Sequence, residues 1–191
     1  MRELKERIVA DGVAIGTEIV KVDSFLNHQI DVALLNKIGQ EFAKRFAGKE
    51  ITKILTVEAS GIAVACMAAM HFGYIPVVFA KKTAPNTMID GCYGAEVKSF
   101  TKGTTSVIRV AKKYLNEGDK VLILDDFLAH GEAATGLAEL VKNAGAELVG
   151  IGAVIEKQFQ GGSKRLREKG YCVESLAVIE SIIDGSINFL E

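Results

Sequence analysis

The chain has 191 residues, with 23 Lys and Arg against 24 Asp and Glu, giving a formal net charge of −1. That length suits one domain burying roughly 70% of the surface its unfolded chain exposes, and the balanced charge excludes a strongly basic nucleic-acid coat or a polybasic membrane binder while leaving a local anion site open. Nineteen glycines against two prolines point to tight turns between regular elements rather than to disorder.

Cys66, Cys92 and Cys172 are odd in number and lack CxxC spacing, so the expectation is reduced thiols, with neither a disulfide framework nor a structural zinc site. Residues 1–11 carry alternating charge and no apolar core, which argues against a signal peptide. No apolar run reaches the roughly 18 residues a membrane span needs. The expected location is the cytoplasm.

Leu4 and Ile8, four apart on a charged stretch, predict a short surface helix that Gly12 ends. Ile19, Val20 and Val22 predict a short strand, and 24–29 reads as a polar break. Asp31 is placed to cap a helix running to about residue 46, with Leu34, Leu35, Ile38, Phe42 and Phe46 on one face. From residue 51 the pattern changes. Apolar strands are expected at 51–57, 77–80, 121–124, 148–155 and 172–179. Helices are expected at 60–72, 133–144 and 163–169. Near-continuous apolar strands alternating with helices indicate an α/β fold whose parallel sheet is covered on both faces. Residues 83–94 break the alternation as a loop, and 97–101 with 105–110 read as a hairpin around Lys102 and Gly103.

In open parallel sheets ligands bind beyond the carboxyl ends of the strands. The richest such end is the run Val121-Leu122-Ile123-Leu124-Asp125-Asp126-Phe127-Leu128-Ala129-His130-Gly131-Glu132-Ala133. Four apolar residues deliver two adjacent carboxylates, a glycine turn follows, and a helix begins. Turn amides and a helix N-terminus suit an anion, and carboxylates beside them accept hydrogen bonds from vicinal hydroxyls. The pairing describes a receptor for a phosphorylated sugar. Asp125-Asp126 alone would read equally well as a strand-end pair capping the next helix.

This run resembles the ribose-phosphate motif of the type I phosphoribosyltransferases. The resemblance implies a central, mostly parallel sheet with helices on both faces, a small N-terminal hood within 1–50, and a flexible loop and hairpin over 83–110, all in one domain spanning 1–191. It implies that Asp125 and Asp126 are catalytic and hold the ribose hydroxyls. Ala129, His130, Gly131, Glu132 and Ala133 would grip the 5-phosphate of phosphoribosyl pyrophosphate (PRPP). Glu58, Ala59, Ser60 and Gly61 match the family's pyrophosphate loop. Lys81 and Lys82 read either as balancing pyrophosphate charge or as a solvated pair. Magnesium is implied as a cofactor bound mainly through PRPP, with no certain protein ligand, and a homodimer is implied as the assembly.

The segments 20–31 and 150–159 further resemble the bacterial xanthine-using branch of the family. On that likeness Val20, Asn27 and Lys157 match the purine contacts, and Phe159 is offered as a ring to stack on the base. Their chemistry fits an oxopurine. Lys157 only donates, which suits an exocyclic carbonyl, and Asn27 both donates and accepts, which suits a carbonyl beside a ring N–H. Read without the likeness, Lys157 is a strand-end lysine, Asn27 a turn residue and Phe159 a core ring. Three positions depart from the hypoxanthine-guanine pattern or from expectation. Ala129 stands where those enzymes carry an aspartate facing the purine. Glu132 puts an acid in a phosphate loop, and is read as pointing outward and capping the helix. His130 reads either as touching phosphate or as an outward loop residue. The implied activity is transfer of a phosphoribosyl group from PRPP to xanthine. The alternatives are a guanine or hypoxanthine enzyme, or a non-catalytic PRPP sensor. Nucleic acid and membrane are not expected partners.

Overall fold

The computed structural model describes residues 1–83, 91–99 and 104–190. Helix α1 (Arg2–Asp11) buries Leu4 and Ile8 and ends at Gly12, as their spacing predicts. Strands β1 (Val13–Ile15) and β2 (Ile19–Lys21) then form an antiparallel hairpin. Only β2 was expected. The stretch read as a polar break is instead a helical turn, Asp23–Asn27, with Phe25 and Leu26 fully buried. These two side chains pack into the same core as α1 and the next helix, so tertiary burial overrides the polar residues around them.

Helix α2 (Val32–Arg45) begins where Asp31 accepts a hydrogen bond from the Leu34 N–H at 3.0 Å, an N-cap that satisfies one of the helix's free amides. Its buried face carries Leu34, Leu35, Ile38 and Phe42. It packs on α3 (Gly61–His71), whose small residues allow a close approach. A Cβ on Gly39 of α2 would lie 2.8 Å from the Met67 carbonyl oxygen of α3.

Among the described residues the main sheet has strand order β10-β9-β8-β7-β3-β4, formed by β3 (Lys53–Val57), β4 (Val77–Ala80), β7 (Lys120–Leu128), β8 (Glu147–Lys157), β9 (Val173–Ile183) and β10 (Ser186–Phe189). All neighbours are parallel except β9 and β10. Strand β10 and the last turn of β9 exceed the expected strand. Asp184 and Gly185 take φ of 49° and 78°, the pair of positive values a two-residue type I′ hairpin requires. Strand β7 shows why the sheet is covered twice. Val121 and Ile123 belong to a core shared with α4 (Glu132–Asn143), while Leu122 and Leu124 belong to a core shared with α2 and α3, and all four are fully buried. With period-2 side-chain alternation, burial on both sides produces the continuous apolar run seen in the sequence.

Strands β5 (Cys92–Ser99) and β6 (Thr104–Ala111) form a separate antiparallel hairpin in the register Ser99↔Thr104 to Cys92↔Ala111. The first strand starts earlier than expected, so Cys92 to Gly94 are strand rather than loop. Ala95 is buried while Gly94 and Glu96 are exposed, an alternation that small side chains hide. The remainder of the expected loop, 84–90, and the hairpin tip, 100–103, lie outside the described residues. The hairpin rests on α4 at Gly136, where a Cβ would come within 2.6 Å of the Val97 side chain.

Gly39→Ala should therefore destabilise the fold by about 1–3 kcal/mol through overpacking. Chemical denaturation would show a lower midpoint with an unchanged slope, whereas an unchanged midpoint would mean that α2 and α3 separate freely.

Candidate active site

The carboxyl ends of β3 and β7 open onto a cleft of about 500 Å³. Its walls carry Asp125, Asp126, Glu58 and Ser60 together with all of Ala129, His130, Gly131, Glu132 and Ala133. The two predicted loops thus meet in one space although some 70 residues separate them. The β5–β6 hairpin covers one side with Val97, Lys98, Ser106 and Ile108, and Lys82 enters beside it. These hairpin residues were missed in the sequence. Alternation along a solvent-facing hairpin looks the same whether its inner side meets a core or a ligand.

Asp125 and Asp126 lie in the C-terminal half of β7, still paired with β8 through Asp125↔Ala153. Asp125 Oδ1 accepts the Asp126 N–H at 3.0 Å, and Asp126 is buried at 8% exposure. Desolvation, followed by the neighbouring Asp126 carboxylate, pushes the Asp125 carboxyl well above its ordinary value of 3.8, while the Asp126 N–H and Lys82 oppose the shift. Asp126 Oδ2 accepts a long hydrogen bond of 3.5 Å from Asn27 Nδ2.

The turn after β7 depends on Gly131, the N-cap of α4, with φ 81° and ψ 11°. Only glycine takes this left-handed conformation without strain. It turns the chain so that α4 starts at once, presenting its free amides and positive dipole end to the cleft. Glu132 and His130 both line the cleft.

The loop after β3 is tied down at Glu58. Its N–H donates to the Ala80 carbonyl at 3.1 Å, and its carboxylate accepts the Lys82 N–H at 2.6 Å. The Glu58–Ala59 peptide is cis. Ser60 precedes α3, but its hydroxyl makes no capping hydrogen bond among the described residues. Gly61 has no room for a side chain, since a Cβ would lie 2.1 Å from Thr56 Oγ1 and 2.9 Å from Asp125 Oδ1. Gly61 thus brings the α3 backbone directly onto the acid pair.

Val20, Asn27, Lys157 and Phe159 lie outside the cleft walls. Asn27 reaches the cleft through Asp126. Lys157, at the end of β8, donates to the Glu18 carbonyl at 3.0 Å in the turn between β1 and β2, and burial lowers its ammonium below the ordinary lysine range, with Glu18 opposing. Val20, in β2 of that hairpin, is buried, and Phe159 is 40% exposed. Phe127, next to the acid pair, is the aromatic ring that does line the cleft. Among the described residues no group of three or more His, Cys, Asp or Glu is arranged to hold a metal ion, and no helix is long and apolar enough to cross a membrane.

The phosphoribosyl transferase domain family matches residues 21–189, from β2 to β10. The chain belongs to the phosphoribosyltransferase family. Among curated relatives it is 58% identical over 191 residues to the xanthine phosphoribosyltransferase of Ruminiclostridium cellulolyticum, covering 100% of both chains. It is 57% identical over 189 residues to that of Clostridium novyi, covering 99% of each. Among solved structures it resembles the adenine phosphoribosyltransferase of Thermoanaerobacter pseudethanolicus, with TM-score 0.68, 27% identity, and coverage of 78% of this chain and 81% of that one. The Rhodothermus marinus adenine enzyme shares the fold at TM-score 0.76 and 24% identity, over 94% of this chain and 100% of that one. The family fold explains why the acid pair and the glycine turn share one cleft.

A raised carboxyl pKa means that folded Asp125 holds its proton more tightly than the unfolded chain does. The associated stabilisation is complete below 3.8 and is lost as pH rises through the higher folded value. Ionising Asp125 therefore costs the folded protein stability. Asp125→Asn should raise the melting temperature at pH 7 to 8, with the gain shrinking as pH falls. A lowered melting temperature at neutral pH would contradict this.

Proposed function

We propose that this chain transfers the 5-phosphoribosyl group of PRPP to xanthine, releasing pyrophosphate and forming XMP. The observation that carries the reading is one cleft holding two adjacent carboxylates beside a glycine turn at a helix N-terminus. Near-full-length relatives that carry the name xanthine phosphoribosyltransferase support the choice of base.

In the reaction the bond from the anomeric carbon to pyrophosphate breaks with its electron pair leaving on pyrophosphate. A purine ring nitrogen forms the new bond and gives up its proton. The transition state carries positive charge on the ribose ring. Asp125 and Asp126 accept hydrogen bonds from the ribose hydroxyls and stabilise that charge through space. The amides of residues 129–133 hold the 5-phosphate, which fixes the sugar against the acids and supplies the entropic advantage of a bound, oriented reactant. Glu58 and Ser60, which line the cleft, face the pyrophosphate together with the adjoining Ala59 and Gly61, the uncapped Ser60 hydroxyl is available to it, and Lys82 and Lys98 add positive charge on the same cleft. The donor set fits a magnesium ion held mostly by PRPP oxygens, because the acid pair offers only two carboxylates. Such an ion would neutralise pyrophosphate charge as it leaves.

For the base we assign Lys157 to an exocyclic carbonyl, Asn27 to a mixed carbonyl and N–H edge, and Val20 to an apolar contact, with Phe159 or the cleft residue Phe127 stacking on the ring. Ala129 offers no carboxylate to take the ring proton, so proton loss falls to the acidity of the base itself, which favours xanthine over less acidic oxopurines. The reading carries with it a cytoplasmic homodimer.

Pyrophosphate release with PRPP and magnesium should give the highest kcat/KM for xanthine among xanthine, guanine, hypoxanthine and adenine. A higher value for guanine or hypoxanthine overturns the choice of base. No release with any of the four, although PRPP binds, would indicate a sensor. Replacing both acids, Asp125→Asn with Asp126→Asn, should lower kcat by at least about 100-fold while the circular dichroism spectrum is kept. A rate near wild type would remove the acids from the mechanism.

A further inference from the structure

Behind the phosphate loop, on the side away from substrate, a buried polar network joins three elements. Glu156, near the end of β8, is 2% exposed. It accepts a hydrogen bond from the Ser163 hydroxyl on one carboxyl oxygen and from the Ser175 hydroxyl on the other, the latter at 2.6 Å. Ser175 belongs to β9, and Ser163 to α5 (Gly162–Glu168). A carboxyl group inside a sheet core is expensive, and an apolar residue of similar size would stabilise the fold as well or better. The network therefore calls for a reason other than stability.

That reason lies in what α5 touches. Its Gly162 N–H donates to the Ala129 carbonyl at 3.1 Å. Arg165 Nη2 donates to the His130 carbonyl at 2.6 Å and to the Gln160 carbonyl at 3.2 Å. The approach is so close that a Cβ on Gly162 would stand 2.3 Å from the Ala129 oxygen and 2.7 Å from the Gly131 nitrogen. In a planar trans peptide the C=O and N–H point in opposite directions. By holding the carbonyls of Ala129 and His130, α5 turns the amides of His130 and Gly131 away from itself, and these residues line the cleft.

We infer that Glu156 is a positioning residue for phosphate binding: through Ser163 it anchors α5, and α5 is the template that aims the loop amides at the anion. The inference rests on the phosphoribosyl-transfer reading for the identity of that anion. Leu128↔Glu156 is a register pair in the sheet, so the anchor sits one residue before the loop it aims. Ser175 ties Glu156 only to β9. It thus serves as a control, sharing the network and its burial but not the link to α5.

The test titrates ribose 5-phosphate by calorimetry into the full-length wild type, Ser163→Ala, Ser175→Ala and Glu156→Gln, with KM values for PRPP and xanthine measured alongside. Ser163→Ala should weaken ribose 5-phosphate binding about tenfold and raise the PRPP KM to match, leaving the xanthine KM within about twofold. Ser175→Ala should lower the melting temperature comparably yet bind ribose 5-phosphate within about twofold of wild type. Glu156→Gln keeps size and hydrogen-bonding capacity and should stay within about threefold, and the serine pair decides the matter even if this variant does not fold. Equal losses for the two serine variants, or no loss for Ser163→Ala, overturn the inference while phosphoribosyl transfer by the wild type stands. A wild type that transfers to none of the bases, with Ser163→Ala still weakening ribose 5-phosphate, refutes the substrate assignment and leaves the template in place.

Discussion

The desolvation of Asp125 is the constraint to which the rest of the site answers. Two neighbouring carboxylates at the end of a strand buried on both faces repel each other and lack water. A chain selected for stability alone would not put them there. The groups around the pair make it tolerable. The Asp126 N–H donates to Asp125, Asn27 reaches Asp126, and Lys82 bears on the same charge. None of these neutralises the pair, so the pair suits a ligand that brings hydroxyl donors and developing positive charge. Such a site binds the developing cation of the transition state better than the neutral ground-state sugar, which is the differential a catalyst needs.

The same constraint explains how a chain of net charge −1 can hold a substrate rich in phosphate. On the proposed reading the positive partners are mainly backbone amides. They cost no formal charge, and the glycine turn at Gly131 with the start of α4 concentrates them. Glycine does two distinct jobs here. At Gly131 it supplies a positive φ, whereas at Gly61 and Gly162 it removes the Cβ that would otherwise separate backbone from acid pair and α5 from phosphate loop. A composition rich in glycine and poor in proline is the sequence-level trace of that strategy.

Much of the fold was legible because its signals are local. The stripe of α2 with its Asp31 cap, the apolar run of β7 and the acid-glycine motif each sit within a dozen or so residues, where propensity and periodicity act. What escaped reading depends on distant partners. Phe25 and Leu26 lie in polar company and are buried by α1 and α2. Ala95 and Gly94 carry too little side chain to show the alternation of β5. The Asp184-Gly185 turn is a local signal for a final hairpin, but the apolar residues on both sides of it let the strand appear to stop early. The motif falls on the wall of the cleft. The hairpin wall and the Glu156 network did not stand out, since a glutamate before a lysine, and serines 7 and 19 residues later, look like ordinary surface residues until the sheet brings them together.

In the ligand-free chain the donors assigned to the base already have protein partners. Asn27 is held by Asp126 and Lys157 by the Glu18 carbonyl. Binding a base is then an exchange of hydrogen bonds, whose net gain per bond is only about 1 kcal/mol. Rejection follows a different scale. Under the proposed assignment, a base presenting an amino group to Lys157 would displace the Glu18 carbonyl and leave an ammonium facing a donor, and the loss is then the desolvation penalty of an unpaired group. Satisfied donors thus give modest affinity and strong discrimination. Asn27 and Asp126 share one long hydrogen bond, so the segment after β2 and the acid pair are directly linked.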